Sequence, residues 1–391
     1  MGFAFHAAPP GGEWVNDPNG LVFVDGRYRL FVQHSKQGPD YKSIGWARLS
    51  SDDLIVWDWD GSVIQPNKTG FAYSGSVTLS GNTLAAWLTR HDNSTQRQYR
   101  LIGTQAGACW QQDPAPLGPE GRNIRDPFVF DEPTSGRRRM LLAEPCDWNG
   151  WRMQPASRLS VWAEIDRSWQ QVGAIGPWSA AGVMWEVPVL LDAGAHQYLI
   201  VSMIDRREGT ALCSVRVWRV NFNGSTFVPD DTQGELLDYG PDFYATCFNT
   251  PHDWPLDSRV MVAWASNWST ARTIIWPGDV RGGAITLPRA VECRDGHLRQ
   301  SPLPATRGLA TTQRWEPGRT LALDFDGRFE LHISSAGMVT ARRSTPVWTL
   351  AAPLVLAIPT VISIFEDHGL LEVFFEAEGQ TMTVFIGERE Q

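Results

Sequence analysis

Three carboxylates stand in unusual local surroundings: Asp17 in Trp14-Val-Asn-Asp17, Asp126 in Arg125-Asp126-Pro127, and Glu186 in Trp185-Glu186-Val-Pro188. Each has a proline one or two residues on (Pro18, Pro127, Pro188), which narrows the local backbone. Each also has a Trp or Arg close by. Brought to one place, three carboxylates repel one another if all are ionised, so at least one must hold its proton to higher pH. Cleavage of a glycosidic bond asks for that arrangement. One carboxylate must be charged to meet the anomeric carbon, and another must hold a proton for the departing oxygen. Any one Asp or Glu is ordinarily a solvated or capping group; the argument rests on the set.

Residues so far apart need a fold that gathers them. Five polar-aromatic clusters punctuate the first three quarters of the chain: the three above, Tyr73-Ser-Gly-Ser76 and Asp242-Phe-Tyr-Ala245. With 17, 74, 126, 186 and 242 as markers, the steps are 57, 52, 60 and 56 residues. A four-stranded propeller blade with long loops has about this length. Five near-equal steps therefore predict five blades whose equivalent positions all face one central axis.

The local pattern agrees, being overwhelmingly β. Leu21–Val24, Asp25-Gly26 and Arg27–Gln33 read as a hairpin with a tight turn, and the run around Asp326-Gly327 repeats that grammar. No amphipathic helix longer than about 12 residues with caps is legible. The strand pattern is interrupted near 293–316, after which short strands are expected at 320–333, 338–350, 354–365, 370–376 and 381–386. The expected organisation is all-β: a propeller over 1–295 and a small C-terminal β-sandwich over 305–391.

Composition narrows the function classes. The formal charge is −9 and no basic face stands out, which argues against a duplex nucleic-acid binder. No apolar run reaches about 18 residues, so no membrane-spanning helix is expected. The five cysteines (Cys109, Cys146, Cys213, Cys247, Cys293) are odd in number and widely spaced, which speaks for buried free thiols rather than a disulfide framework or zinc cluster. With no legible secretory signal at the start, a cytoplasmic location is expected. Nineteen Trp residues serve either as core filler or as platforms for sugar rings.

At these motifs the chain resembles glycoside hydrolase family 32, the invertase, levanase and inulinase family. Trp14-Val-Asn-Asp-Pro-Asn-Gly20 resembles its W-M-N-D-P-N-G motif, Arg125-Asp126-Pro127 its R-D-P motif and Trp185-Glu186-Val-Pro188 its W-E-C-P motif. Tyr73–Ser76, Asp242–Ala245, Asn267-Trp268 and Thr286–Arg289 follow in family order, and Asp367–Phe374 resembles the signature of the family's sandwich domain. The resemblance implies a five-bladed propeller followed by a β-sandwich, Asp17 as nucleophile, Glu186 as general acid/base and Asp126 as a stabiliser holding fructose hydroxyls. It implies retaining release of fructose, with no metal or organic cofactor required. By position, Asn16, Gln33, Trp46, Ser74, Arg125 and Tyr244 resemble sugar contacts, and Asp242 is either a latch or a further contact. The chain departs from the family pattern at Val15 (Met), Val187 (Cys) and Trp46-Ala-Arg-Leu49 (W-G-H-A). None of these changes removes a reacting carboxylate.

The expected activity is that of a β-fructofuranosidase acting on sucrose and short fructooligosaccharides, small-molecule sugars being its partners. Exo-levanase, exo-inulinase and fructosyltransferase chemistry would use the same residues. Sucrose 6-phosphate would want a basic group at the rim, and the sequence assigns none. A non-catalytic sugar-binding propeller would lack an acid that this chain keeps. An interaction propeller is hinted at by Val56-Trp-Asp-Trp-Asp60, which does not recur at blade spacing. A metal-dependent hydrolase would want a His cluster beside the carboxylates.

Overall fold

The Asp-Gly pairs turn the chain where the sequence predicts. In Asp25-Gly26 both residues have positive φ (51° and 72°), and Val24 pairs directly with Arg27, the geometry of a two-residue type I′ hairpin. Asp295-Gly296 repeats it between Arg294 and His297. The computed structural model describes residues 2–37, 43–132, 135–146, 156–178, 183–193, 196–206, 212–223, 226–250, 254–272, 274 and 276–387.

Among these residues the chain forms seven antiparallel sheets, and the only helical elements are short 3-10 turns, Pro277–Asp279 and Pro304–Leu309. Five sheets fall between residues 14 and 302. Their first strands are Trp14–Val24, Phe71–Ser80, Arg125–Asp131, Val183–Ala193 and Tyr244–Phe248, each followed outward by strands in chain order. The first strand of each sheet packs against the first strand of the next, and the fifth returns to the first, so these five strands make a ring. The last sheet of this set ends with His297–Pro302 paired to Arg289–Arg294, which carries it past residue 295.

Each ring strand has a break in its ladder. Pairing lapses between Val15 and Pro18, Ala72 and Gly75, Arg125 and Phe128, Glu186 and Val189, and Tyr244 and Cys247. Two residues stand unpaired in each gap, and in the last three gaps one adopts positive φ: Asp126 (61°), Val187 (46°) and Ala245 (52°). Such bulges re-aim side chains that a regular pleat would point elsewhere. The backbone groups they free must find other partners. Asp126 N–H donates to Thr89 Oγ1 at 3.1 Å, Ala245 N–H to Ser202 Oγ at 3.0 Å, and Val187 N–H to Asp126 Oδ2 at 3.0 Å. Each of these bonds ties one sheet to its neighbour. Four of the five sequence markers lie in or beside these gaps; Asp242 precedes its strand instead.

The remaining two sheets lie between 311 and 385. One has the order Thr311–Trp315, Thr360–Asp367, Leu370–Phe375, Gln380–Phe385; the other has Leu321–Phe325, Phe329–Ile333, Met338–Arg343 and Trp348–Thr349, with Leu354–Val355 also on Met338–Arg343. They share one apolar cluster that includes Trp315, Phe329, Leu331, Val373, Phe375 and Val384. Phe329–Ile333 alternates buried and exposed, as a strand with one wet face should, whereas Leu370–Phe375 is buried at every position. Its second face meets the first five sheets, where Phe365 and Phe374 pack with Leu287.

That junction is also ionic. Arg289 is fully buried and gives hydrogen bonds to Glu372 Oε2 (2.5 and 2.9 Å), Asp238 Oδ2 (2.9 Å) and the hydroxyls of Thr381 and Thr383. His6 lies between Asp367 Oδ2 and Glu372 Oε1, both at 2.9 Å, and Asp367 also accepts the N–H groups of Ala4, Phe5 and His6. Burial by itself would lower the His6 pKa; the two carboxylates overcome it and the pKa is raised. Breaking a buried pair of this kind costs about 3–5 kcal/mol, because the remaining charge is left dry and alone. Cys247 is buried but Cys109 is exposed, so the cysteines are not uniformly sheltered.

Candidate active site

Residues of the first three ladder gaps, and Glu186 beside the fourth, line a common cavity of about 330 Å³, at the small end for a small-molecule site. Asp17, Asp126 and Glu186 all line it, from the first, third and fourth ring strands. Gln33, Ser74 and Arg125, expected as sugar contacts, line it as well.

The three acids are held differently. Ser74 donates its hydroxyl to Asp17 Oδ2 at 2.6 Å, while Asp17 Oδ1 is buried with no hydrogen-bond partner. An oxygen with free lone pairs is what a nucleophile requires. Burial pushes the Asp17 pKa up to about 6, with a smaller push from the Glu186 charge and a counter-pull from the Ser74 hydroxyl. Burial also drives Asp126 up to about 7, against the attraction of Arg125 and the Val187 N–H and with added repulsion from Glu186 and Asp17. Glu186 accepts from several donors. Arg125 reaches its Oε1 through Nε (3.1 Å) and Nη2 (2.8 Å), and Tyr244 Oη donates to Oε2 at 2.8 Å. Burial works against the Arg125 charge, yet Glu186 and Asp126 hold its pKa above the ordinary value. Burial, then the Glu186 charge, raises Tyr244 well above a usual phenol.

Behind this layer, Asn16 donates to Gln33 Oε1 and accepts from Trp14 Nε1 at 2.8 Å, so its amide fixes the Gln33 face of the cavity. Asn16 and Tyr244 stand one layer back rather than on the lining. Trp46 stands further back. It is buried in an apolar cluster with Phe31 and Leu88, and its indole N–H holds the Tyr73 carbonyl at 3.0 Å. Its role in the fold is to position Tyr73, which itself lines the cavity.

Gln96, Arg206, Trp268 and Arg272 also line the cavity. Asn267-Trp268 is visible in the sequence as a motif; an Arg at a strand end or in a loop reads as a solvated residue, and nothing marks Gln96. Asp242 takes no part in the lining. It is fully buried and accepts from Asn267 Nδ2 (2.6 Å), Arg343 Nη1 (2.5 Å) and the Phe385 N–H (2.8 Å). Of its two expected readings, the geometry is that of a latch.

Five sheets in a ring thus bring three acids to one cavity. Residues 6–302 match the Glycosyl hydrolases family 32 N-terminal domain, and the chain belongs to that family. An extracellular exo-inulinase of Aspergillus awamori is 26% identical over 341 residues, 73% of this chain and 60% of the relative. Raffinose invertase of Escherichia coli is 29% identical over 329 residues, 78% of this chain and 65% of the relative. The chain thus spans about 60% of the length of the exo-inulinase it matches. In fold it is similar to the solved exo-inulinase of Aspergillus awamori (TM-score 0.77, 21% identity, 98% of this chain and 92% of that one). It is similar also to sucrose-6-phosphate hydrolase from Lactobacillus gasseri (TM-score 0.79, 20% identity, 98% and 88%).

Proposed function

We propose that the protein is a retaining β-fructofuranosidase that releases terminal β-D-fructofuranosyl units from sucrose and short fructooligosaccharides. In this reading its five ring-forming sheets are the blades of a five-bladed β-propeller, and the two later sheets, which share one apolar layer, are a β-sandwich. The observation that carries the proposal is the pairing, in one small cavity, of an Asp17 oxygen without a partner and a Glu186 gripped at both oxygens.

Asp17 Oδ1 attacks C2 of the fructosyl unit while Glu186 delivers a proton to the departing oxygen. A fructosyl ester on Asp17 forms and the glycosidic C–O bond breaks. Glu186 then takes a proton from water, the water oxygen adds to C2, and the ester opens to free fructose and ionised Asp17. Asp126 holds fructose hydroxyls, and the carboxylate nearest C2 favours the cationic transition state. Arg125 orients Glu186, and Gln33 offers both a donor and an acceptor to sugar hydroxyls.

The test is product analysis on sucrose, kestose, inulin and levan. Fructose released from sucrose and kestose in preference to the polymers supports the reading. Preference for a polymer moves the assignment to an exo-inulinase or exo-levanase, and fructosyl oligomers in place of free fructose move it to a transferase. Absence of fructose from all four overturns it.

Arg206 and Arg272 favour a second reading, in which the substrate carries an anionic group, as sucrose 6-phosphate does. A neutral disaccharide has no need of two guanidinium groups in so small a cavity. If kcat/KM is higher for sucrose 6-phosphate than for sucrose, and Arg206→Ala removes only that advantage, this reading holds; equal loss on both sugars rejects it.

A further inference from the structure

The stretch just before Tyr244 is built on the C-terminal sheets. Tyr239 N–H donates to Thr381 O at 2.8 Å and Asp242 N–H to Thr383 O at 3.2 Å, so 238–242 runs along the strand Gln380–Phe385. The approach is so close that a Cβ on Gly240 would fall 2.0 Å from Thr383 O. At the end of this stretch Asp242 receives Arg343, the last residue of Met338–Arg343. Arg343 is buried too, and gives further hydrogen bonds to the carbonyls of Phe385 (3.0 Å) and Pro346 (2.8 Å). It therefore bridges both late sheets to one carboxylate of the ring.

Asp242 leads in two directions toward the cavity. Two residues on is Tyr244, whose hydroxyl holds Glu186. Through Asn267, whose Oδ1 also accepts the N–H groups of Ser269 (2.8 Å) and Thr270 (3.1 Å), it fixes the turn that bears Trp268 and Arg272. The late sheets thus contribute no lining residue, yet the residue that grips Glu186 Oε2 is set by them.

We propose that Arg343 is a positioning residue for the acid/base: by fixing Asp242 it holds the Tyr244 hydroxyl where Glu186 is aimed at the leaving oxygen. This rests on the hydrolase reading above. A substrate with a poor leaving group needs a well-aimed proton, and one with a good leaving group hardly needs it. Loss of aim therefore has a signature that general loosening lacks.

The experiment compares kcat/KM, which reports formation of the fructosyl ester, for sucrose and for 4-nitrophenyl β-D-fructofuranoside in the full chain. Arg343→Met should lower kcat/KM on sucrose by about 10-fold or more, and on the aryl substrate by less than about twofold. Arg343→Lys, which keeps the charge, should show a smaller selective loss of about threefold. Phe365→Leu, which loosens the same junction through its apolar part, should lower Tm and leave the ratio of the two substrates as in the parent. Equal losses on the two substrates for Arg343→Met, or a Phe365→Leu ratio that moves with it, would overturn the proposal. Should the methionine variant fail to fold, the lysine variant decides: a selective loss supports the proposal and a parental ratio rejects it. A parent chain that cleaves neither substrate would instead overturn the hydrolase reading itself.

Discussion

Ser74 and Asp17 are joined by a 2.6 Å hydrogen bond across two neighbouring sheets, and that bond decides which Asp17 oxygen is free. Ser74 Oγ occupies Oδ2, and Oδ1 is left buried without a hydrogen-bond partner. The same bond favours the ionised form, in opposition to the burial that raises the pKa.

Removing the hydroxyl should therefore move the Asp17 titration upward. In Ser74→Ala the acidic limb of kcat/KM, which falls as pH drops through about 6 in the parent, should shift by about one pH unit toward neutrality. A pH–rate profile on sucrose checks this. An unmoved or downward-shifted limb would mean that another group sets it.

Asp17→Asn should abolish turnover and at the same time stabilise the fold at neutral pH. The folded pKa lies above the ordinary value of 3.8, so folding is favoured by the protonated form. The stability is full below 3.8 and is lost as pH rises through about 6. The shift of about two units sets a ceiling of about 3 kcal/mol on what the neutral amide restores. Thermal melts of parent and variant should coincide near pH 3.5 and separate by pH 7, the variant melting higher. A constant gap at both pH values would show that the carboxylate charge is not the cause.

His6 should make the junction sensitive to alkali. Its folded pKa is raised above 6.5, so its contribution is complete below that value and fades as pH climbs through the folded pKa. His6→Gln should lower Tm most at pH 6 and progressively less above it. If the penalty of the variant were the same at pH 6 and pH 9, the histidine would be acting through shape rather than charge.

Val187 occupies the place where the family pattern has Cys, and it is a β-branched residue at φ 46°. That conformation is unfavourable for such a side chain, on the order of 1–2 kcal/mol. Replacing it with glycine removes both the strain and a buried side chain, two terms of similar size. Val187→Gly should therefore change unfolding free energy by less than about 1 kcal/mol, whereas Val201→Gly, in a regular strand, should cost more than about 3 kcal/mol. Denaturant melts of the two variants test the contrast.

Much of this site is legible in the sequence, for reasons that differ by residue. Asp17, Asp126 and Glu186 announce themselves because ladder gaps favour Pro and polar neighbours, which leave a local mark. Asp242 carries a similar mark yet serves the opposite side of its segment, because its aromatic neighbours are dictated by the strand that follows. Trp46 reads equally well as wall or core, since an indole suits both and only the fold decides which carbonyl its N–H meets. The junction is half legible: Thr286–Arg289 and Asp367–Phe374 stand out as motifs, but nothing around His6 pairs it with Asp367, 361 residues away. The strand Thr311–Trp315 is missed because four of its five residues are exposed and carry no alternation.

The two-residue lapses in the five ring ladders bear on how such a protein can change. Pairing resumes on either side of each lapse, after one further shift between Pro18 and Gly20 in the first strand, so an exchanged side chain there perturbs few of the ladder bonds that hold its sheet. Reactive inventory and scaffold are to that extent uncoupled. New chemistries can be tried one socket at a time on an otherwise constant ring, and among these positions the natural places to look for divergence are Asp17, Tyr73, Ser74 and Asp126, which line the cavity.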